Sequence, residues 1–584
     1  MSEPENLKEP IKAGHGLVRF LKEHGIRYIF GIPDGSTCAL YDGIQATEGI
    51  AHVLFNDERS AAFAADAYAR ITGKLGACDA GPAGSMNFPV ALAEAKGSAS
   101  PVLAIGGLIE TKNFLRNLPH DINVAETLAP VTKCTKKVIN IENLTRFTRY
   151  VLTQAINGRP GPVSLVIASD VLASSELKLK DYIPHDAEEY TINKYRITPA
   201  RSEIDQAIKL ILGAKQPTIF AGGGALLSEA FTEVAELARI LKAPVFSTNS
   251  GKGIIVTRED PLENLYFGTV GLFGLKPNNR FLKTKADLVI VVGNRLTEDD
   301  TANFKFPDKR KTMIQIDIEP SEIGLSYKPL AVVGDPKAAL FEIIRRLRNY
   351  SNKQKIKPEV LASRMKNLER LKANLHNYKE ADRKKWIDSE PIKPQRVLKA
   401  ISDVLTSDDY MVTDASSSSR WIGSYYPVKS IGKKIITPRG VGPTGFGVGA
   451  LIGTCIAVDA INGKNNNIKK ILFTGDGGLM NGGINEFETI SRLGLNCTIV
   501  VINNAQLGFV KFTQLALYGR RYYETDRPKT DFSKLTDAFG GKGFRVEKLN
   551  DLDVTIHEAI NTKGFTLVDV LVDPDEYLPP SSYA

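Results

Sequence analysis

The run Gly475-Asp476-Gly477-Gly478, followed downstream by the pair Asn503-Asn504, is the part of this 584-residue chain best suited to chemistry. A carboxylate and an amide oxygen suit a hard divalent cation, which keeps part of its shell for waters and phosphate oxygens. The glycines let backbone N–H groups come close to a diphosphate. Chemically the pattern describes a magnesium–diphosphate site, with Asp476 and Asn504 as metal ligands. A bare Gly-Asp-Gly is more often only a turn, so the reading depends on the elements around it.

Those elements are favourable. Strand-like Lys470–Thr474 runs into the glycines, helix-like Asn485–Leu493 follows, and strand-like Cys497–Ile502 delivers the asparagines. Acid and amide therefore leave the C-terminal ends of parallel strands, where open α/β sheets place their ligands. Strand-like and helix-like segments alternate in three blocks along the chain, which predicts an α/β protein of three doubly wound parallel-sheet domains. The expected boundaries are 1–185, 199–348 and 391–584. A polar stretch over Glu176–Thr198 reads as a linker, and 349–390 as a charged helical connector.

At this point the chain resembles the thiamine diphosphate (ThDP) enzymes, within them the acetolactate synthase large subunit and pyruvate oxidase group. Asn504 falls 28 positions after Asp476, one more than the family spacing, and a turn at Asn481-Gly482-Gly483 would absorb the difference. The resemblance implies that the first block binds the pyrimidine and the third the diphosphate, with Gly475, Asp476, Gly477, Gly478 and Asn504 at the cofactor. Gln506 would add its backbone carbonyl to the metal. Asn56–Lys74 by itself reads as a capped amphipathic helix, yet it is similar to the family segment bearing the cofactor-activating glutamate, here Glu58. A carboxyl hydrogen-bonded to the pyrimidine ring favours the imino tautomer, which takes the thiazolium C2 proton.

Other matches carry departures. Gly81–Asn87 and Pro130–Lys133 follow family turns, but His120 stands where a glutamine is usual. It would act as a proton or carboxylate partner, or serve only as a polar loop residue. Thr413–Trp421 resembles the diphosphate-contacting turn, with Ser417 and Ser418 replacing the usual glutamine and histidine; a helix-capping turn is the plainer account. Gly440–Gly447 resembles the loop that props the cofactor, with Gly442 and Thr444 meeting the aminopyrimidine. Thr444 is smaller than the family's prop. Thr513 replaces a tryptophan of the branched-chain biosynthetic enzymes.

In the middle block Gly222-Gly223-Gly224, Arg295 and Asp317 are similar to FAD-binding elements, and a tight turn kept without flavin is the alternative. The implied activity is decarboxylation of a pyruvate-like 2-oxo acid with carboligation. Oxidative decarboxylation through FAD is the alternative. A homodimer or homotetramer with shared active sites is implied, and a regulatory subunit is left open. The net charge of +9 could suit nucleic acid, but Lys and Arg are interleaved with Asp and Glu, as on a solvated surface. Five cysteines without a Cys-x-x-Cys pair, no apolar signal region and no membrane-length apolar run lead to a cytoplasmic expectation.

Overall fold

A computed structural model describes residues 11–177, 191–193, 195–349, 356–464 and 466–577. Most of the stretch read as a linker, and the start of the connector, lie outside these residues.

Three six-stranded parallel sheets, each flanked by helices, account for the chain. The first holds β1 (Tyr28–Gly31), β2 (Ala51–Leu54), β3 (Gly76–Ala80), β4 (Val102–Leu108), β5 (Cys134–Val138) and β6 (Val163–Ala168), in the order β2-β1-β3-β4-β6-β5. The second holds β7 (Pro217–Ala221), β8 (Val245–Ser247), β9 (Tyr266–Thr269), β10 (Leu288–Val292), β11 (Thr312–Asp317) and β12 (Leu330–Val333), in the order β12-β11-β10-β7-β8-β9. The third holds β13 (Tyr410–Thr413), β14 (Ile435–Ile436), β15 (Lys470–Gly475), β16 (Cys497–Asn503), β17 (Lys542–Val546) and β18 (Phe565–Leu571), in the order β14-β13-β15-β16-β18-β17. The outer two sheets thus share one strand order. The middle sheet has the order of dinucleotide-binding folds, with its reversal between β7 and β10.

Central strands such as Leu288–Val292 are buried along their whole length, as expected when helices cover both faces of a parallel sheet. One apolar cluster runs through the first sheet and into the third. It is continuous because the helix Glu58–Thr72, rich in alanine, lies against the helix Phe446–Asn462. A Cβ on Gly449 or Gly453 would overlap the backbone of Ser60 or Ala64, so these two positions admit only glycine at this separation.

The helix Pro358–Arg383 is more than a surface connector. Leu368, Leu371 and Leu375 enter the core of the middle domain. Arg364, fully buried, donates to the carbonyls of Ala214, Lys215 and Leu241 at 2.8, 3.1 and 2.6 Å. It thereby satisfies carbonyls left over at the ends of two helices, Arg201–Gly213 and Phe231–Leu241.

Candidate active site

The third sheet reverses its chain order between β13 and β15, which opens a crevice at the strand ends. Three elements feed it. β13 leads through Asp414 to the helix Ser417–Tyr425, β15 leads directly into Asp476, and β16 ends at Asn503 beside Asn504. The crevice is a cavity of about 620 Å³ whose lining includes Ser417, Ser418, Gly442, Thr444, Gly475–Gly478, Asn504 and Gln506.

Asp476 is 5% exposed, and burial pushes its carboxyl up to about 6 against hydrogen bonds from backbone N–H groups that include Gln506. Asn504 Oδ1 accepts the same Gln506 N–H at 3.2 Å, so the three expected metal-site residues stand side by side. Ser417 Oγ is shielded from solvent and has no hydrogen-bond partner in the fold. An unpaired hydroxyl at the start of a helix is a donor that a ligand acceptor can meet. The donor set therefore fits a diphosphate with a hard cation. Ser418 differs, since its hydroxyl already donates to the carbonyls of Asp414 and Ala415.

Two buried acids, absent from the sequence reading, fix the loops around this cavity. Asp414 accepts N–H bonds from Ala415, Gly445 and Gly447 at 2.6, 3.0 and 3.3 Å. Burial pushes its carboxyl up to about 6. Glu94, in the N-terminal domain and 0% exposed, accepts from Gly440, Val441 and Gly442 at 2.8, 2.9 and 3.0 Å. Arg70 donates to Glu94 at 3.0 Å, to Asp66 at 2.9 Å and to the Thr437 carbonyl at 2.7 Å. Burial alone would raise the Glu94 carboxyl, but Arg70 and the donated N–H groups hold it below the ordinary value. A Cβ on Gly440 would overlap the Glu94 carbonyl, which explains glycine there. The Asp66–Arg70 spacing is a legible helical ion pair; nothing in the sequence links Glu94 to residues 440–442.

At the cavity rim Arg420 and Arg439 share Asp299, Arg420 at 3.6 Å, and both stack over Phe273, with ring distances of 5.5 and 4.4 Å. With Arg295 and Glu298 beside them, three guanidiniums stand against two carboxylates and leave this rim positive, which suits an anionic substrate.

Glu58 opens its helix after the cap Asp57, whose side chain accepts from Arg59 N–H. Its Oε2 accepts from Asn87 Nδ2 at 2.9 Å, and a Cβ on Gly84 would overlap its carboxylate. The two N-terminal motifs therefore meet. Glu58 does not line the diphosphate cavity, all of whose lining residues fall between Leu272 and Val510. His120 stands on an exposed loop with φ at 70° and lines neither that cavity nor the one beside it.

The residues expected at a nucleotide gather in that second cavity, of about 180 Å³, at the reversal between β7 and β10. Gly223, Gly224, Arg295 and Asp317 line it; Gly222 is not among its lining residues, and a Cβ there would overlap the Gly293 carbonyl. Asp317 is pushed up to about 6 by burial. Asn294 Nδ2 is buried without a partner, a donor that fits a phosphate or sugar oxygen. Arg295 already donates to the Gly97 carbonyl at 2.9 Å. Arg295, Thr297 and Arg439 line both cavities, which makes them a common wall.

Comparison with known proteins returns three family descriptions in chain order. They are "Thiamine pyrophosphate enzyme, N-terminal TPP binding domain" over 11–127, "Thiamine pyrophosphate enzyme, central domain" over 204–343, and "Thiamine pyrophosphate enzyme, C-terminal TPP binding domain" over 414–570. The chain is 30% identical to a probable acetolactate synthase large subunit of Methanocaldococcus jannaschii, covering 97% of this chain and 93% of that protein. It is 31% identical to the protein of that description from Methanococcus aeolicus, covering 98% and 94%. It is 30% identical to an acetolactate synthase large subunit of Cyanidium caldarium, covering 98% and 95%.

Proposed function

The chain belongs to the thiamine pyrophosphate (ThDP) enzymes, and from that membership we propose that it is an acetolactate synthase-like enzyme using ThDP and Mg²⁺. Its substrate is a pyruvate-like 2-oxo acid, whose activated two-carbon unit passes to a second carbonyl. The observation that carries the reading is that Asp476, Asn504 and Gln506 line one crevice together with Ser417, whose hydroxyl has no hydrogen-bond partner. When bound, ThDP supplies the nucleophilic carbon and the electron sink for decarboxylation.

The protein's own groups do the rest. Asp476, Asn504 and the Gln506 carbonyl hold the cation, while Ser417 and the glycine N–H groups hold the diphosphate. Residues 440–442, pinned by Glu94, place the loop that meets the pyrimidine. Glu58 holds a proton at the pyrimidine ring nitrogen. Because Glu58 does not line its own chain's cavity, we assign it to the site of a second copy, which makes a homodimer or homotetramer the working unit. In this scheme 1–185 binds the pyrimidine, 199–348 is the central domain, 349–390 connects, and 391–584 binds the diphosphate.

A second reading, oxidative decarboxylation through FAD as in pyruvate oxidases, is favoured by the strand order of the middle sheet and the wall common to both cavities. The smaller cavity alone is below the ~300 Å³ at which small-molecule pockets usually begin, so the flavin end would have to reach past Arg295. The "large subunit" names of the relatives point to a smaller companion chain. No helix among the described residues is long and apolar enough to cross a membrane.

The test is to incubate the purified protein with pyruvate, ThDP and Mg²⁺ and to assay acetolactate, acetate and reduction of an electron acceptor. Acetolactate supports the first reading and acetate with acceptor reduction the second. Glu58→Gln should lower turnover by ~100-fold or more, the usual scale of a lost acid–base group, with an unchanged circular dichroism spectrum. Near-normal turnover in that variant would remove the assignment of Glu58.

A further inference from the structure

A third cavity, of about 460 Å³, lies where the middle domain, the helix Pro358–Arg383 and the third domain meet. Its volume is that of a small-molecule pocket. Lys252 lines it and is 5% exposed, and its ammonium donates only to the Gly423 carbonyl at 3.1 Å. Lys379 lines it from the connector helix and carries the charge nearest to Lys252. Among the described residues no carboxylate pairs with either.

Three of the four acids of the cavity already have partners within its lining. Asp382 accepts from Tyr425 and Trp386 at 2.9 and 3.2 Å, Asp403 pairs with Lys399 at 2.7 Å, and Glu380 lies 3.9 Å from Arg383. Lys372 is held by Asp260. Once the ion pairs are set aside, Lys252, Lys379 and Arg258 remain against Glu259 and Asp382, which leaves the lining with one more positive charge than negative. Lys252 is buried while Lys379 stands at the exposed mouth of the cavity, and burial together with the Lys379 charge pushes the Lys252 ammonium down to about 7. An anion placed between them removes the repulsion and fills the free donors. Trp386, Tyr425 and Phe273 add flat apolar walls for the body of such a molecule.

We propose that this cavity is a second ligand site, distinct from the diphosphate crevice, which takes a small organic anion bearing phosphate or carboxylate groups between Lys252 and Lys379. The helix Ser417–Tyr425 joins the two sites. Its first residues face the diphosphate crevice, and Gly423–Tyr425 face the anion cavity. Occupancy at one end therefore bears on the serine end through one rigid element, which is the arrangement of an effector site. The inference does not depend on which reaction the crevice performs.

Trp386 is a built-in reporter, since the chain has two tryptophans and the other, Trp421, is fully buried away from the cavity. The test is a fluorescence titration of protein saturated with ThDP and Mg²⁺, using inorganic phosphate in one arm and citrate in the other. We expect a saturable change with at least one anion, weakened tenfold or more in both Lys252→Met and Lys379→Met. A response to phosphate alone or to citrate alone identifies the recognised group. No saturable change with either anion, or a change that persists in either variant, overturns the proposal. If Lys252→Met does not fold, Lys379→Met at the solvent side of the cavity decides it.

Discussion

At the scale of single residues, the crevice separates groups that the fold has already satisfied from groups it has left for a ligand. Ser418 bonds back to its own turn, whereas Ser417 has nothing to bond to. Ser417→Ala should therefore leave the melting temperature of the cofactor-free protein unchanged, because no internal hydrogen bond is lost. The same change should weaken ThDP binding about tenfold or more, as one hydrogen bond to a charged group is worth ~1.5–3 kcal/mol. Equal affinity in calorimetric titrations of the two proteins would remove Ser417 from the site. Asp476 and Asn504 were legible because the strands around them follow simple apolar runs. Ser417 could be singled out only as part of a serine-rich turn, since which of four hydroxyls lacks a partner is decided by backbone geometry.

Among elements, the loop 438–447 is held from two sides by buried carboxylates, Glu94 of the N-terminal domain and Asp414 of its own domain. Glu94→Ala removes the acceptor of three N–H groups and one of the two carboxylates that Arg70 pairs with, leaving it Asp66 and the Thr437 carbonyl. Breaking a buried ion pair this way costs ~3–5 kcal/mol, so the variant should melt at a clearly lower temperature and require more ThDP for half-saturation. Retention of both properties would show that the loop holds itself. Glu486 plays a related part in the third domain, accepting from the Asn56 N–H at 3.2 Å and from Thr489 at 2.6 Å. Burial pushes its carboxyl up to about 7. The folded protein then binds a proton that the unfolded chain releases above pH 4.5, so this site's contribution is full at lower pH and falls as pH rises from 4.5 to 7. The loss should be on the order of 3 kcal/mol and absent in Glu486→Gln. Stability curves of the two proteins that run parallel across this window would contradict it. None of these long-range pairs is legible in sequence, because residues such as 94 and 441 share no period, motif or neighbourhood until three sheets have packed.

For the whole molecule, alternating strands and helices made the three parallel sheets legible, since continuous apolar runs such as Leu288–Val292 mark strands covered on both faces. The edge strands β9 and β12 were not, because β9 is interrupted by Gly268 at positive φ with a register shift against β8, and β12 is only partly buried. Nor was the anchoring of the connector helix, whose charged face hides a stripe of three leucines. The assembled enzyme offers the sharpest test of the shared site. Co-expressing Glu58→Gln with Asp476→Ala should restore about a quarter of native activity, because half of randomly mixed dimers are hybrids with one intact site of two. If each chain used its own glutamate, every site would carry one lesion and the mixture would stay inactive.

The common strand order of the first and third sheets, set beside the different order of the one between them, bears on ancestry. Duplication of one segment around an inserted domain would leave such a pattern. On the reading above, each copy has since specialised, one keeping the acid and the other the grip on phosphate, so neither could revert to working alone.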